Sequence, residues 1–561
     1  MFFLNLILNN NKINNKKLNY NLFLKKIRTN STGTITNIYD NVIIIKGLND
    51  SFVGEIINLN SASLTSHQGI VMNLDLELIK VMIIKGDQTH LTKGSKAYRT
   101  YGTVTTRSGF GVLGQIISPL GKFLNTIESD FKKYALLHVY TVEIHQKSPS
   151  IIERESVSTP FLTGILSIDC FIPIGCGQRQ LIIGDINSGK TSLALTAIIN
   201  QSHFMNLMDK SWRLFESSLK TEWKYWRFMP CIFVAIGKKR SEVIRIKFIL
   251  SNFNALYYTC IVFTSSDSYA SLQYLAPYAG AAVGEWFRNR GYNAIVIYDD
   301  LSQHAVAYRQ ISLLLRRPPG REAYPGDIFY IHSRLLERAA QLIKSKGGGS
   351  LTSLPLVETQ GNDISAYIPT NVISITDGQI FLSPAILNSG IRPGIDLGLS
   401  VSRVGSRAQY DSMKFVCKQI KLDYIFFRMY EGLTKFGSDI DPSLKLYIEK
   451  GYKLNKLMTQ SLFETKSLIE EVSMLLSLSE GYLDNISIHL LYEFFDIFFN
   501  RQFISMYLQK KEYYKYLIIS NITLESLYRM GNFSALLEDL REVLVLYKNF
   551  FISEIHTVFI N

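Results

Sequence analysis

The spacing of apolar residues along the chain changes twice, which divides it into three parts. Between residues 31 and 105, short apolar runs separated by turn residues recur at roughly 12-residue intervals, a rhythm typical of antiparallel strands. The predicted strands are Thr34–Ile38, Val42–Lys46, Gly54–Leu59, Gly69–Leu74 and Leu78–Ile84. This part of the chain is therefore predicted to form a small antiparallel β-barrel.

Residues 106–390 alternate apolar strands with segments of helical period, as in a parallel α/β sheet. The predicted strands are Leu181–Ile183, Cys231–Ile236, Cys260–Phe263, Ala294–Tyr298 and Val372–Ile375. From residue 391 to residue 561, helix-period segments dominate and strand signals are few. The third domain is therefore predicted to be mostly helical.

The net charge of +13 raises the question of a nucleic-acid partner. Its distribution weakens that interpretation, because an N-terminal arm of residues 1–30 contributes +6 without any acidic residue and leaves +7 for the rest. The basic residues of this arm are Lys12, Lys16, Lys17, Lys25, Lys26 and Arg28. We expect no nucleic-acid partner, and the arm either docks on another subunit or is simply solvated.

Composition excludes several other classes. Hydrophobic residues make up 47% of the 561 residues and charged residues 19%, which is typical of a globular protein. The five cysteines lack C-x-x-C spacing, so we expect buried thiols and neither a zinc site nor a disulfide framework. The sequence contains no stretch of about 18 consecutive apolar residues, so it predicts no membrane-spanning helix. Frequent Asn, Lys, Ile, Phe and Tyr are typical of an AT-rich genome and favour organellar encoding.

The most informative segment is a glycine-rich loop of the pattern G-x-x-x-x-G-K-[ST]. Its residues are Gly184, Asp185, Ile186, Asn187, Ser188, Gly189, Lys190 and Thr191. The strand Leu181–Ile183 precedes it and the helix-period segment Ser192–Ile199 follows, which is the context the pattern requires. Converging backbone N–H groups, the charge of Lys190 and the hydroxyl of Thr191 suit phosphates and Mg²⁺. We predict that this loop, with Ser192, binds a nucleotide; a turn without a ligand is the alternative.

A second element of the site follows the predicted strand Ala294–Tyr298, which ends in Asp299 and Asp300. In nucleotide-binding sheets an acid at the end of a buried strand lies beside the phosphate loop. Asp299 is therefore predicted to hold the shell of the Mg²⁺ ion, through water, with Thr191 as the direct ligand.

Several longer segments resemble the α subunits of F-type ATP synthases. The segments are Thr163–Arg179, Tyr308–Asp327, His332–Ala340, Gly347–Thr352 and Ala366–Gln379. The similarity covers about residues 31–480 and is faint beyond. It implies an N-terminal β-barrel, a central RecA-like P-loop domain and a C-terminal helical domain.

The resemblance also implies a function. It suggests a subunit of the F1 sector of a proton-transporting two-sector ATPase, with α subunits alternating with catalytic β subunits in a hexamer. A central rotor shaft and a peripheral stalk are the further expected partners. In this family α binds Mg-ATP at a site that does not turn over. The expected location is the matrix side of the mitochondrial inner membrane, with the chain attached only through the complex.

One departure from the family concerns the residue that orients the attacking water. The resemblance puts Lys238 where β subunits have a glutamate and most α subunits a glutamine. Phosphoryl transfer to water needs a side chain that orients the nucleophile, and an ammonium group has no acceptor for a proton. We therefore predict that this chain does not hydrolyse its own nucleotide. Glu242, nearby in sequence, is the alternative residue for that role.

The segment Ser400–Ser406 matches the family's arginine-finger segment. Arg403 is therefore predicted to reach the γ-phosphate held by a neighbouring β subunit and to stabilise the transition state there. A structural arginine in an interface salt bridge is the alternative.

The adenine pocket matches the family only in part. Arg392, Pro393 and Gln460 agree with it, so these residues are predicted to contact the base. Leu387 stands where an aromatic residue is usual and Leu462 where a second glutamine is usual. The nucleotide selectivity of the site is left open by these two substitutions.

The family pattern does not account for an insert at residues 202–229, which contains Trp212, Trp223 and Trp226. These tryptophans either form a contact surface or fold back on their own domain. Two further functions remain as alternatives: a catalytic P-loop ATPase acting alone or as a homohexamer, and an RNA-translocating hexamer. Lys238 disfavours the first, and the scarcity of basic and aromatic residues together on the barrel disfavours the second.

Overall fold

The computed structural model describes residues 32–60, 67–124, 138–215, 229–431 and 442–499. The basic arm, residues 216–228 of the tryptophan-containing insert and the C-terminal tail lie outside these residues. Within them the chain forms a β-barrel, a central α/β domain and a helical domain, in that order.

Six antiparallel strands close the N-terminal barrel in the order β1-β2-β5-β4-β3-β6. They are β1 Thr32–Tyr39, β2 Val42–Lys46, β3 Glu55–Leu59, β4 His67–Leu74, β5 Leu78–Lys85 and β6 Lys96–Thr103. Ile43, Ile57 and Val81 are fully buried in its interior. The predicted barrel and its five predicted strands are confirmed. The sixth strand was missed because β6 is largely polar and buries little besides Ala97.

The central domain is built on one sheet of eight strands, in the order β18-β17-β12-β16-β15-β13-β14-β8. Its strands are β8 Ile116–Ile117, β12 Leu181–Asp185, β13 Cys231–Lys238, β14 Thr259–Ser265, β15 Asn293–Asp299, β16 Ser350–Thr359, β17 Gly378–Leu382 and β18 Val401–Ser402. Short pairs flank it: β7 Thr105–Ser108 with β9 Tyr140–Glu143, and β10 Pro160–Phe161 with β11 Ile174–Gly175. All neighbours in the sheet run parallel except β17 and β18.

Helices cover both faces of this sheet, so its central strands are buried on both sides. The helices are α1 Leu166–Phe171, α2 Lys190–Phe215, α3 Arg240–Asn252, α4 Ala270–Arg288, α5 Leu301–Leu314, α6 Ile328–Leu336, α7 Tyr367–Ile375 and α8 Pro384–Asn388. Along β13, Ile232 and Val234 face one apolar core, whereas Phe233 and Ala235 face the other. Helix α4 packs closely against the sheet at Gly284, which has no Cβ. A Cβ at this position would lie only 2.6 Å from Leu351 Cδ1.

One predicted strand is wrong. Val372–Ile375 is the last turn of α7, whose residues Ile368 and Val372 are buried four positions apart. Such spacing is helical, and the run of β-branched residues concealed it. The strands on either side of α7 are β16 and β17, and neither was predicted; β16 was missed because it reads as partly polar. Its Ser350 Oγ donates to Asn293 Oδ1 at 2.8 Å, and its Thr352 Oγ1 accepts from Gly177 N at 2.9 Å, whereas the buried Ser353 Oγ has no hydrogen-bond partner among the described residues.

The helical domain follows the sheet and packs on α1. Its helices are α9 Asp411–Glu431, α10 Pro442–Met458, α11 Leu468–Ser479 and α12 Leu491–Phe499. Leu166 and Cys170 of α1 share an apolar core with Ile420 and Leu475. The predicted helical character is confirmed as far as residue 499. In the described part of the chain no helix is long and apolar enough to cross a membrane. All five cysteines are buried thiols, as predicted.

Candidate functional site: the glycine-rich loop and the sheet edge

The glycine-rich loop connects the end of β12 to the start of α2. Its backbone turns through positive φ at Asn187 (64°) and Gly189 (94°). Nothing lies within 4 Å of a Cβ built at Gly189, so glycine serves the backbone torsion there and not the space. At Gly184 the reason is space, because a Cβ would lie 2.7 Å from the carbonyl oxygen of Leu382. The loop thereby directs the first turn of α2 and its N–H groups toward one concavity, as an anion site requires.

Lys190 lies inside this loop and is 6% exposed. Its Nζ donates to the carbonyl oxygens of Gly184 at 2.9 Å and Asp185 at 2.7 Å. Glu358 Oε1 lies 4.0 Å away. Burial lowers the pKa of Lys190, although the carboxylates of Glu358, Asp300 and Asp299 oppose that effect. Phosphate oxygens accept charge-assisted hydrogen bonds that are stronger than those to carbonyls, so a bound phosphate would compete well for this ammonium group.

Asp185 anchors the loop to the neighbouring strand. Its carboxylate accepts from Thr359 Oγ1 and, at 2.9 Å, from the backbone N–H of Asn362. These contacts tie the phosphate loop to the end of β16. Ile186, beside it, is 63% exposed and packs into no core.

The remaining serines of the predicted site differ in their contacts. Ser188 is buried, and its Oγ has no hydrogen-bond partner among the described residues. Ser192 is half-buried in the first turn of α2, and its carbonyl accepts from Thr196 Oγ1 at 2.9 Å. An unpaired buried hydroxyl beside the loop leaves a donor available to an anionic ligand.

The hydroxyl of Thr191 and the carboxylate of Asp299 meet across the sheet edge. Thr191 Oγ1 donates to Asp299 Oδ2 at 2.9 Å, and Asp299 is 2% exposed. A hydroxyl and a carboxylate are hard oxygen donors of the kind that Mg²⁺ prefers. These two side chains therefore fit a magnesium ion that also takes oxygens from phosphate and water.

Lys238 enters the same cluster from the end of β13. Its Nζ lies 3.0 Å from Asp299 Oδ1 and 3.4 Å from Asp300 Oδ2. Burial opposes its charge, but the two carboxylates outweigh burial and raise the pKa of Lys238. Burial also raises the pKa of Asp300 to about 6 in spite of Lys238. Asp300 caps α5 as well, since its Oδ1 accepts from Gln303 N at 2.7 Å.

One acid of the site was missed from the sequence, and the acid considered instead is exposed. Glu358, near Lys190, is the last residue but one of β16, and it was overlooked because β16 itself was not identified as a strand. The signal was the apolar run Leu356-Val357 directly before it. Glu242, the acid considered as a substitute for glutamine, is exposed in the first turn of α3.

The residues predicted to contact adenine are only partly brought together. The backbone N–H of Gln460 donates to the carbonyl of Arg392 at 2.7 Å. Its side-chain amide is buried and bridges the nucleotide domain, because it accepts from Leu166 N at 2.9 Å and donates to Gly164 O at 3.0 Å. Gln460 thus links Arg392 to the segment Gly164–Leu166, and its side-chain amide points into the protein and not into open space. Arg392 is exposed.

A cavity of about 140 Å³ opens beside Pro393. Ile391, Tyr424 and Met458 supply apolar walls, and Asn455 supplies an amide. Leu387 is half-buried and Leu462 is 64% exposed, so neither replaces the missing aromatic or amide group there.

Arg403 lies at a different edge of the molecule. It follows β18, which lies two strands away from β12 and runs antiparallel to β17. Arg403 is therefore level with Asp377, before the start of β17, whereas the phosphate loop follows the opposite end of β12. The backbone N–H of Arg403 donates to Asp377 O at 2.8 Å, and Asp377 itself pairs with Arg179 through hydrogen bonds of 2.6 and 2.9 Å. The Arg403 side chain is exposed, and its guanidinium makes no ion pair or hydrogen bond with the described residues.

Two family models match the chain. The "ATP synthase alpha/beta family, nucleotide-binding domain" matches residues 164–402, and the "ATP synthase alpha/beta chain, C terminal domain" matches residues 409–522. The second match continues beyond residue 480, where motif comparison had found the similarity faint.

Curated relatives agree with these matches. The "ATP synthase subunit alpha" of Ehrlichia ruminantium (strain Gardel) is 44% identical over 465 residues, covering 83% of this chain and 86% of the relative. The subunit of the same name from Rickettsia bellii is 45% identical over 462 residues, covering 82% and 85%. That from Orientia tsutsugamushi (strain Ikeda) is 44% identical over 462 residues, with the same coverage. The chain therefore belongs to the family of F-type ATP synthase alpha subunits.

Proposed function

We propose that this chain holds Mg-ATP at its own loop without hydrolysing it, and that it supplies Arg403 to the nucleotide of a neighbouring catalytic subunit. The observation that carries the first half is the ion pair of Lys238 with Asp299 at 3.0 Å. Membership of the family establishes a subunit of the ATP synthase and a nucleotide-binding domain. The division of labour between the two nucleotides is our proposal.

Hydrolysis needs a group that accepts a proton from, or orients, the attacking water. At the strand end where such a group is required, this chain has an ammonium, which only donates. The nearby carboxylates are engaged: Asp299 with Lys238 and Thr191, and Asp300 with Lys238 and Gln303 N. Glu358 Oε1 lies 4.0 Å from Lys190 Nζ, so the Glu358 carboxylate pairs with the proposed phosphate-binding lysine. This arrangement favours binding over turnover.

Binding itself rests on groups that the loop supplies. The N–H groups at the start of α2 and the charge of Lys190 orient the phosphates. Thr191 and Asp299 would hold Mg²⁺, which when bound neutralises phosphate charge. The cavity beside Pro393 is the proposed place of the base, and its apolar walls suit a flat ring. Arg392 and Pro393 would border that ring, and Gln460 would support this corner through its hydrogen bonds with Leu166 N and Gly164 O.

The second half of the proposal rests on the exposure of Arg403. A guanidinium without a partner among the described residues is available to an anion on another chain, and its planar charge suits phosphate oxygens. Arg179 and Asp377 fix the turn that carries it. We propose that it stabilises the transition state of the catalytic subunit in trans, an effect of about 10³–10⁵ in rate where such fingers act.

We further propose that the chain alternates with a catalytic β subunit in a hexamer around a rotor shaft, with a peripheral stalk and no nucleic-acid partner. The proposed location is the matrix side of the mitochondrial inner membrane, where the chain is attached through the complex. The AT-rich codon usage implied by the composition and the matches to subunits from Ehrlichia and Rickettsia support this placement.

The proposal is tested by reconstituting the full chain with its catalytic partner and measuring ATP hydrolysis. We expect Arg403→Ala to lower hydrolysis by about 10³-fold or more while nucleotide at the chain's own loop is retained. The control is Arg407→Ala, an exposed arginine four residues away, which should hydrolyse as the wild type does. Hydrolysis that survives in Arg403→Ala would refute the role in trans. Steady turnover by the chain alone would instead favour the alternative of a self-sufficient ATPase.

A further inference from the structure

Lys238, Asp299 and Asp300 form a compact group of charges, which we call the strand-end cluster. The lysine lies 3.0 Å from one carboxylate and 3.4 Å from the other. The side chains of Asp299 and Asp300 are 3% and 1% exposed, and that of Lys238 is 18% exposed. Buried charges of this kind are poorly screened by salt, so each one changes the electrostatic potential at the site strongly.

The backbone of β13 explains why the lysine reaches this place. Strand β13 pairs in register with β15 up to Ala235 and Asp299. Its pairing with β14 then shifts between Ala235 and Lys238, and Gly237 adopts a φ of 62°. The irregular turn carries Lys238 past the regular end of the strand, to the edge where the phosphate loop lies.

Lys238 binds Asp299 Oδ1, an oxygen that would otherwise be free to accept from the water shell of a metal ion. Asp299 Oδ1 accepts from Lys238, and Asp299 Oδ2 accepts from Thr191 at 2.9 Å. A divalent cation that approaches Asp299 therefore meets an ammonium group already in contact with the carboxylate. Repulsion between the two cations reduces what the metal gains there.

The same lysine alters the charge that a nucleotide meets. The carboxylates of Asp299, Asp300 and Glu358 face the ammonium groups of Lys190 and Lys238. With a neutral residue in place of Lys238, one ammonium would remain against three carboxylates. ATP without its metal is more negative than Mg-ATP, so it would suffer most from that excess of negative charge.

We propose that Lys238 acts as a tethered cation that partly replaces magnesium, so that this site retains ATP when magnesium is withdrawn. The inference rests on the proposed function, because it requires ATP to bind at this loop. It goes beyond that function, since a merely non-hydrolysing side chain such as glutamine would leave the dependence on magnesium intact. The lysine thus weakens the thermodynamic coupling between metal and nucleotide.

The test measures ATP affinity of the purified full chain by calorimetry, once with magnesium and once with EDTA. We expect the loss of affinity in EDTA to be about tenfold larger in Lys238→Gln than in the wild type, as a change of one buried unit charge predicts. Lys238→Arg keeps the charge and should behave as the wild type does. Lys239→Gln is the matched control, because Lys239 is adjacent but exposed. Unfolding curves of each variant establish that it is folded.

A second measurement needs only the wild type. Because coupling is reciprocal, magnesium should bind the ATP-loaded chain no more than about tenfold more tightly than it binds free ATP. Much tighter binding of magnesium would overturn the inference even if Lys238→Gln failed to fold. So would equal losses of affinity in EDTA for the wild type and Lys238→Gln. Failure of the wild type to bind ATP in magnesium would overturn the proposed function as well, which separates the two.

Discussion

The phosphate loop and the Arg403 edge belong to the same sheet but satisfy their charges differently. At the loop, Lys190, Asp299 and Asp300 are buried and Lys238 is half-buried, and all four are paired with groups of their own chain. At the edge, Arg403 is exposed, and its side chain makes no hydrogen bond or ion pair with the described residues. A paired site is suited to holding a ligand still, whereas an arginine without an ion pair among the described residues is suited to an anion that arrives from elsewhere.

The largest effect expected from this comparison is at the unpaired arginine. Arg403→Lys keeps the charge but loses the planar, forked geometry that matches phosphate oxygens. We expect hydrolysis by the reconstituted complex to fall by about 10²–10³-fold, measured as kcat with little change in KM. Arg407→Lys provides the comparison. If Arg403→Lys retained full kcat, any positive charge at the edge would suffice and the finger geometry proposed here would be wrong.

A smaller effect is expected at the paired site. Lys190→Gln removes the ammonium that we propose orients the phosphates, and charge-assisted hydrogen bonds are worth about 1.5–3 kcal/mol. ATP affinity at the chain's own loop should therefore fall by about 10²-fold, which equilibrium binding to the purified chain measures. The hydrolysis rate of the complex should fall far less than in Arg403→Lys. Equal losses from both variants would mean that the two regions do not have separate roles.

A third effect concerns the support of Arg403. Asp377 binds Arg179 through its side chain and Arg403 through its carbonyl, so it links the turn to the sheet. We expect Asp377→Asn to lower kcat of the complex about tenfold, because a misplaced charge stabilises the transition state less well. Arg179→Lys should act similarly, and the double variant should be little worse than either single one. Fully additive losses would show that the pair does not act through a shared geometry.

The smallest expected effect is on the free energy of unfolding. It concerns two buried carboxyl groups where the central domain meets the helical domain, Asp169 of α1 and Glu471 of α11. Burial, with the charge of Asp169, raises the pKa of Glu471 well above 4.5, and burial raises the pKa of Asp169 itself to about 6. Asp169 is nevertheless held by the backbone N–H groups of Thr163 and Gly164. A carboxyl with a raised folded pKa binds its proton more tightly in the native state than in the unfolded one. The contribution of such a carboxyl to the free energy of unfolding is therefore largest below about pH 4.5, and it declines as the pH rises toward the folded-state pKa.

Glu471→Gln removes that titration. We expect the variant to be more stable than the wild type at about pH 8, by about 1–2 kcal/mol, with the difference vanishing toward about pH 4. Chemical denaturation of the purified chain at several pH values measures it. Glu449→Gln, an exposed position on α10, should leave the pH dependence unchanged. A variant that lost stability at high pH would show that the ionised form of Glu471 is favoured in the fold.

The sequence predicted the parts of this molecule that depend on local pattern. The loop, the strand before it and the helix after it follow from glycine spacing and apolar runs, and Asp299 follows from a strand that ends in acid. The partners of Lys238 could not be predicted, because its contact with Asp299 depends on the irregular turn at Gly237. Glu358 was missed because Ser350, Thr352 and Ser353 make a fully buried strand read as partly polar. The opposite error was made at Val372–Ile375, which was predicted as a strand because it is rich in β-branched residues. Such residues also occur in helices that pack with one face against a core, as α7 does.

The proposal that most needs a direct test is that this chain binds ATP and does not split it. The most direct measurement loads the purified full chain with γ-labelled ATP and follows the label over many turnover times of the reconstituted complex. We expect intact ATP at the loop throughout, in the wild type and in Arg403→Ala alike. Release of labelled phosphate from the chain alone, abolished by Lys190→Gln, would contradict it.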